Sequence, residues 1–133
     1  MIAADTNVIV RFLVRDDEKQ AQLVYRRLKR AEKNRERIFV PLAVVLETIW
    51  VLESAYDKSR PEILGAFTSM RQMPVFHFEK DEVLEHVIRD GQRFSKADLA
   101  DILIAHSAQA CGCDRGITFD KGATTLSFFS LLE

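Results

Sequence analysis

Four short apolar runs, MIAA at 1–4, IFV at 38–40, VFHF at 75–78 and GITF at 116–119, alternate with longer segments of helical period. That alternation limits the possible folds more than any other feature of the chain. A parallel pair of strands needs a crossover of a dozen or more residues, usually a helix. Strands that are apolar at consecutive positions suit a sheet covered on both faces. The expectation is a single α/β domain over residues 1–133, with a mostly parallel sheet. LSFFSLL near the end adds a fifth candidate strand. A chain of 133 residues can bury a core without disulfides or a structural metal.

The helical segments carry recognisable start and stop signals. Asn7 to Val14 reads as one or two turns. RDDEKQAQLVYRRLKRAEKNRER reads as a long surface helix, with Ala21, Val24, Leu28 and Ala31 at helical spacing. Its acids Asp16, Asp17 and Glu18 fall where the helix dipole favours negative charge. Pro41 suits the first position of a helix through LAVVLETIWVLESAY. That segment is apolar on nearly every side, so it is expected to be central, with Trp50 and the phenylalanines in the core. Asp57 to Ser59 reads as a connector, and Pro61 as the opening of PEILGAFTSMRQM. A further acid-led helix turns Val83, Val87 and Ile88 inward. Ser95 opens KADLADILIAHSAQA, with Gly112 as its stop. Ser95 to Asp98 has the spacing of a capping box.

Net charge is −1, so no partner follows from overall charge. Arg26, Arg27, Lys29, Arg30, Lys33, Arg35 and Arg37 cluster at the end of the long helix. They read more simply as a solvated face than as a phosphate-binding patch. The two cysteines, Cys111 and Cys113, are too close for ordinary disulfide geometry and lack zinc-site spacing. Reduced thiols near a helix end fit a cytoplasmic protein. Asp5 interrupts the opening apolar run too early for a secretory leader, and no run is long enough to span a bilayer. His77, His86 and His106 match no ligand spacing. His106 points away from the Asp101 face of its helix and reads as a packing histidine.

Four acids stand in apolar surroundings. Asp5 ends the first strand, Glu47 lies between Leu46 and Ile49, Asp101 precedes Ile102, and Asp120 follows GITF. Asp5 reads equally as a helix cap, and Asp120 as a turn residue in DKG. Glu47 and Asp101 are farther from such explanations, unless each sits on a narrow exposed stripe. Ligands of parallel sheets gather at the carboxyl ends of the strands, where Asp5 and Asp120 should project. Carboxylates brought together stay ionised only with a counter-cation. A hard divalent ion, magnesium or manganese, is the natural one, and such an ion serves phosphodiester cleavage.

Asp5-Thr6-Asn7, Glu47 within LAVVLETIWVL, ADLADILIA at 97–105 and Thr118-Phe119-Asp120-Lys121 occur in that order. In these motifs the chain resembles the PIN-domain ribonucleases, most closely the VapC-type toxins of bacterial toxin–antitoxin pairs. The resemblance covers the whole chain. It implies a three-layer α/β/α sandwich and an endoribonuclease using magnesium or manganese. Asp5, Glu47, Asp101 and Asp120 would be its catalytic acids, with Asp5 and Asp101 as the principal metal ligands. Asp98 would be a second acid of that helix motif, with capping as its main role. Thr6, Asn7 and Thr118 would help order the site. Hydrolysis of RNA would leave a 5′-phosphate and a 3′-hydroxyl. A homodimer neutralised by a small antitoxin is also implied.

Arg11 and Arg15 lie nearest Asp5 in sequence. They are candidates for guiding RNA, or for pairing with Asp16 and Asp17. Two rival functions stay open. One is a catalytically silent interaction module. The other is a haloacid-dehalogenase-like phosphatase with Asp5 as nucleophile, although such enzymes place an acid two residues on, where this chain has Asn7.

Overall fold

The computed structural model describes residues 1–133. They fall into two compact units, Met1–Glu79 and Lys80–Glu133. The first unit contains β1 (Ile2–Ala3), α1 (Thr6–Leu13), α2 (Glu18–Lys33), β2 (Ile38–Val40), α3 (Leu42–Ser54), α4 (Arg60–Arg71) and β3 (Phe76–Phe78). The second contains α5 (Asp81–Arg93), α6 (Leu99–Ala110), β4 (Gly116–Thr118), a single 3₁₀ turn (Ala123–Thr125) and β5 (Phe129–Leu131). The class is α/β, with six helices and parallel strand pairing throughout, as expected.

In the first unit the strand order is β1-β2-β3. Ile2 lies opposite Ile38, and Ile38 opposite Phe76. Ile38 and Val40 are buried while Phe39 is half-buried and stacks on His77 across the pair. Phe76 and Phe78 are also buried. Phe12 meets Phe76 edge-on at 5.3 Å, and Phe67 meets Phe78 at 6.4 Å. Aromatic pairs of this geometry add packing energy beyond the area they bury. Val45, Ile49 and Leu52 from α3, and Ile63, Leu64, Phe67 and Met70 from α4, complete the buried set.

Local chemistry sets the helix ends. Asp17 caps α2 by accepting from the Gln20 amide, so the helix starts at Glu18 and only Glu18 lies in its first turn. Ser59 caps α4 in a reciprocal box with Glu62, and Pro61 follows in the first turn. Gly112, at φ 93°, takes the left-handed conformation past the end of α6 that other residues avoid. Cys111 and Cys113 beside it are exposed and unbridged.

Several expectations need correction. β1 is not buried: Ile2 is 37% exposed, because β1 is the edge of its three-stranded sheet. The hydrogen-bonded pairing is β1-β2-β3 in the first unit and β4-β5 in the second, parallel as expected. α3 is not enclosed on every side, since Leu46, Glu47 and Trp50 share an exposed stripe and Trp50 is 66% exposed. Ser95 caps nothing. Residues 94–97 form a turn, closed from the Ala97 amide to the Phe94 carbonyl, and α6 begins only at Leu99. The sequence pattern was adequate, but Ala97 and Leu99 are fully buried and fix the helix start three residues later. No helix is long and apolar enough to cross a membrane.

Candidate active-site residues

In the first unit, Asp5 sits two residues past β1 with extended backbone. Its Oδ1 accepts a hydrogen bond from the Val8 amide at 3.1 Å, capping α1. Capping satisfies one of the orphan amides of the helix start and occupies one of the two carboxylate oxygens. The capping reading of Asp5 therefore holds, and it leaves the second oxygen for another role. Thr6, the first residue of α1, is buried. Its hydroxyl donates to Glu47 Oε1 on α3, fixing the end of an otherwise mobile side chain. Asp5, Thr6, Asn7 and Glu47, with Val44 and Val51, line an open cavity of about 300 Å³. Short sequence spacing and the packing of α1 on α3 thus gather Asp5, Thr6 and Asn7 around Glu47.

In the second unit, Asp98, Asp101 and Asp120 come together. Each offers one carboxylate oxygen, and these oxygens lie within 4.8 Å of one another. Asp98 occupies the position before α6 but makes no capping bond with its side chain. Its expected role as a cap is corrected accordingly. Asp101 stands in the first turn of α6 and is half-buried. Burial, then repulsion from Asp120 and Asp98, push its carboxyl above the usual carboxylate range. A hydrogen bond with Asp120 adds to the effect.

Asp120 is held by its own turn. Its amide donates to the Thr118 hydroxyl at 3.0 Å, and its Oδ1 accepts from the Gly122 amide at 2.8 Å. The turn reading of DKG was correct, and the same turn aims the carboxylate. Gly122, the glycine of DKG, does more than close the turn. A Cβ there would lie 2.4 Å from the Lys96 carbonyl oxygen. The absence of a side chain lets the Asp120 turn press against the segment that leads into Asp98. The glycine two residues after an acid was the available signal.

Three acids at this spacing repel one another unless a proton or a cation intervenes. Their donors are all carboxylate oxygens, the set that hard divalent cations prefer, and the residues fit such an ion. The histidines take no part in the group. His106 pairs with Asp90 at 2.6 Å and stacks on His86, as a packing histidine should.

The two arginines nearest Asp5 in sequence are engaged. Arg11 reaches Asp16, Gln20 and the Tyr56 hydroxyl. Arg15 pairs with Glu18, rather than Asp17, at 3.0 Å. In the basic cluster, Arg27 pairs with Glu36 and Lys29 approaches Glu32 at 3.7 Å. Arg27 is half-buried, whereas the other six cations of the run are exposed, as a solvated face requires.

One family model, described as PIN domain, matches residues 2–128. Among curated proteins, none matches the chain.

Proposed function

Since this chain belongs to the PIN-domain family, whose members are generally nucleases, we propose that it is a metal-dependent endoribonuclease. The observation that carries the reading is the group formed by Asp98, Asp101 and Asp120, in a chain that the family model matches almost end to end. We assign catalysis to Asp5, Glu47, Asp101 and Asp120. Asp101 and Asp120, with Asp98 beside them, would hold magnesium or manganese. When bound, such a cation neutralises the carboxylates and polarises the scissile phosphate and its attacking water.

The chain's own residues then have separable tasks. Thr6 holds Glu47 in one orientation, and Glu47 would serve as a general base. Thr118 and Gly122 hold Asp120. Asn7 borders the same cavity as Asp5 and Glu47 and offers an amide to the phosphate. Water adds to phosphorus, the bond from phosphorus to the 3′-oxygen breaks, and that oxygen leaves with a proton. The products are a 5′-phosphate and a 3′-hydroxyl. Arg15, exposed and paired with Glu18, would steer the RNA backbone, while Arg11 is the weaker candidate because Asp16, Gln20 and Tyr56 hold it.

The further reading is a toxin of a toxin–antitoxin pair, acting as a homodimer and silenced by a small antitoxin. The exposed stripe of Leu46 and Trp50 on α3 supports self-association. Structured RNAs incubated with the protein, with and without magnesium or manganese, test the enzymatic claim. Cleavage should require metal, and Asp5→Asn and Asp101→Asn should each lower it about a hundredfold, or about 3 kcal/mol of barrier. Activity that survives chelator or both substitutions belongs to a contaminant. Capture of a phosphorylated Asp5 from small phosphate esters would replace the nuclease by a phosphatase.

A further inference from the structure

Phe119 is the most exposed large apolar side chain of the protein, at 79%. It was expected in the core. It lies between two residues that are each tied down. Thr118 ends β4, and its hydroxyl accepts from the Asp120 amide. Asp120 is closed onto Gly122 and belongs to the acid group. The backbone that carries the ring is therefore fixed on both sides, while the ring itself lies in solvent. Two residues earlier, Ile117 is 68% exposed, so this outward apolar surface continues along β4.

Leaving a phenylalanine in water forgoes the gain of burying it, so its position next to a site acid calls for an occupant. A rigidly mounted aromatic ring offers a flat face, and every nucleobase has a complementary one. We propose that Phe119 is a stacking platform for one base of a single-stranded RNA, within a nucleotide or two of the bond cleaved at Asp101 and Asp120. The proposal deepens the nuclease reading and rests on it. The ring touches a base, not the reacting atoms, so it sets affinity and position along the strand. Stacking tolerates any base, which predicts a requirement for an unpaired nucleotide at that position rather than for a particular sequence. Duplex RNA, whose bases are stacked on each other, would not engage the ring.

The test is a cycle between protein and substrate. Wild type, Phe119→Ala and Phe119→Trp are each measured on a short single-stranded RNA and on versions with one abasic nucleotide placed in turn on either side of the cleaved bond. Binding is read by fluorescence anisotropy in calcium, and cleavage by KM and kcat in magnesium. Phe119→Ala should weaken binding and raise KM about tenfold with kcat nearly unchanged, equivalent to about 1.4 kcal/mol. Phe119→Trp should restore both. One abasic position should cost wild type the same tenfold and cost Phe119→Ala nothing more.

Additive losses at every position would overturn the stack. So would unchanged affinity in Phe119→Ala, or a loss of affinity that follows only from a change in the protein's mass in solution, which would make the ring a protein–protein contact. The nuclease reading fails separately, by absence of wild-type cleavage. The anisotropy cycle, with the abasic nucleotide scanned through every position of the strand, decides the stack without cleavage.

Discussion

Asp101 bears opposing demands. It stands in the first turn of α6, where the helix dipole favours a carboxylate, yet burial and the charges of Asp120 and Asp98 disfavour its ionised form. Burial first, and repulsion after it, outweigh the dipole, so the carboxyl lies above its usual range. Asp101→Asn keeps the shape and removes one charge. In chelator the variant should melt roughly 3–5 °C above wild type, a gain of about 1 kcal/mol. Adding divalent metal should stabilise wild type more than the variant, which calorimetry with and without metal would read. A lower midpoint for the variant in chelator would mean that the carboxylate is a net stabilising group. Residues whose neighbours are local were legible in the sequence. Asp5 as a cap and Asp120 in its turn each depend on an amide two or three positions away. Asp98 was not, because its company with Asp101 and Asp120 depends on where a turn of distant sequence lies.

Among the elements, the junction of two turns does the aligning. The Asp120 turn and the segment from Phe94 to Asp98 meet at Gly122, where no Cβ fits. Gly122→Ala must displace the Lys96 carbonyl or the Asp120 loop. It should cost about 1–3 kcal/mol of stability and lower metal affinity more than about tenfold, measured by denaturant unfolding and calorimetric titration. Unchanged metal affinity would show that Asp120 does not depend on this contact. The start of α4 gives a pH-dependent case. The Ser59 amide, then its hydroxyl, hold the Glu62 carboxyl below its usual range. A carboxyl depressed in the folded state binds its proton less readily there than in the unfolded chain. Its contribution is complete above the unfolded value of 4.5 and is lost as pH falls through the lower folded value. Glu62→Gln should therefore show a smaller drop in melting temperature between pH 6 and pH 3 than wild type. The helix starts of α2 and α4 were readable because caps are short-range. The start of α6 was misplaced because buried Ala97 and Leu99 override a capping pattern, and such burial is set by the tertiary fold.

At the scale of the molecule, alternation of strands and helices was enough to give the α/β class and parallel pairing. It did not give the division of the strands into two hydrogen-bonded groups, since two- and three-residue strands carry little register information of their own. Nor did it show which side of α3 lies open. A helix apolar all round names no face, and only packing decides where Trp50 points. If that stripe joins two copies, Trp50→Glu should convert a dimer to a monomer by light scattering while leaving the circular dichroism spectrum unchanged. A wild type that is monomeric, or a variant that remains dimeric, removes the stripe from consideration as an interface.

α6 also has a use as a ruler. Asp101 lies in its first turn, and Cys111 follows its last residue, Ala110. Ten residues of helix rise about 15 Å. The chain has only two cysteines, both accessible and both at that end. A thiol-reactive dye or spin label can therefore be placed without engineering, at a known separation from the carboxylates. Manganese titrated into labelled protein would announce its arrival by quenching or line broadening of known reach, and occupancy could be followed independently of any catalytic signal.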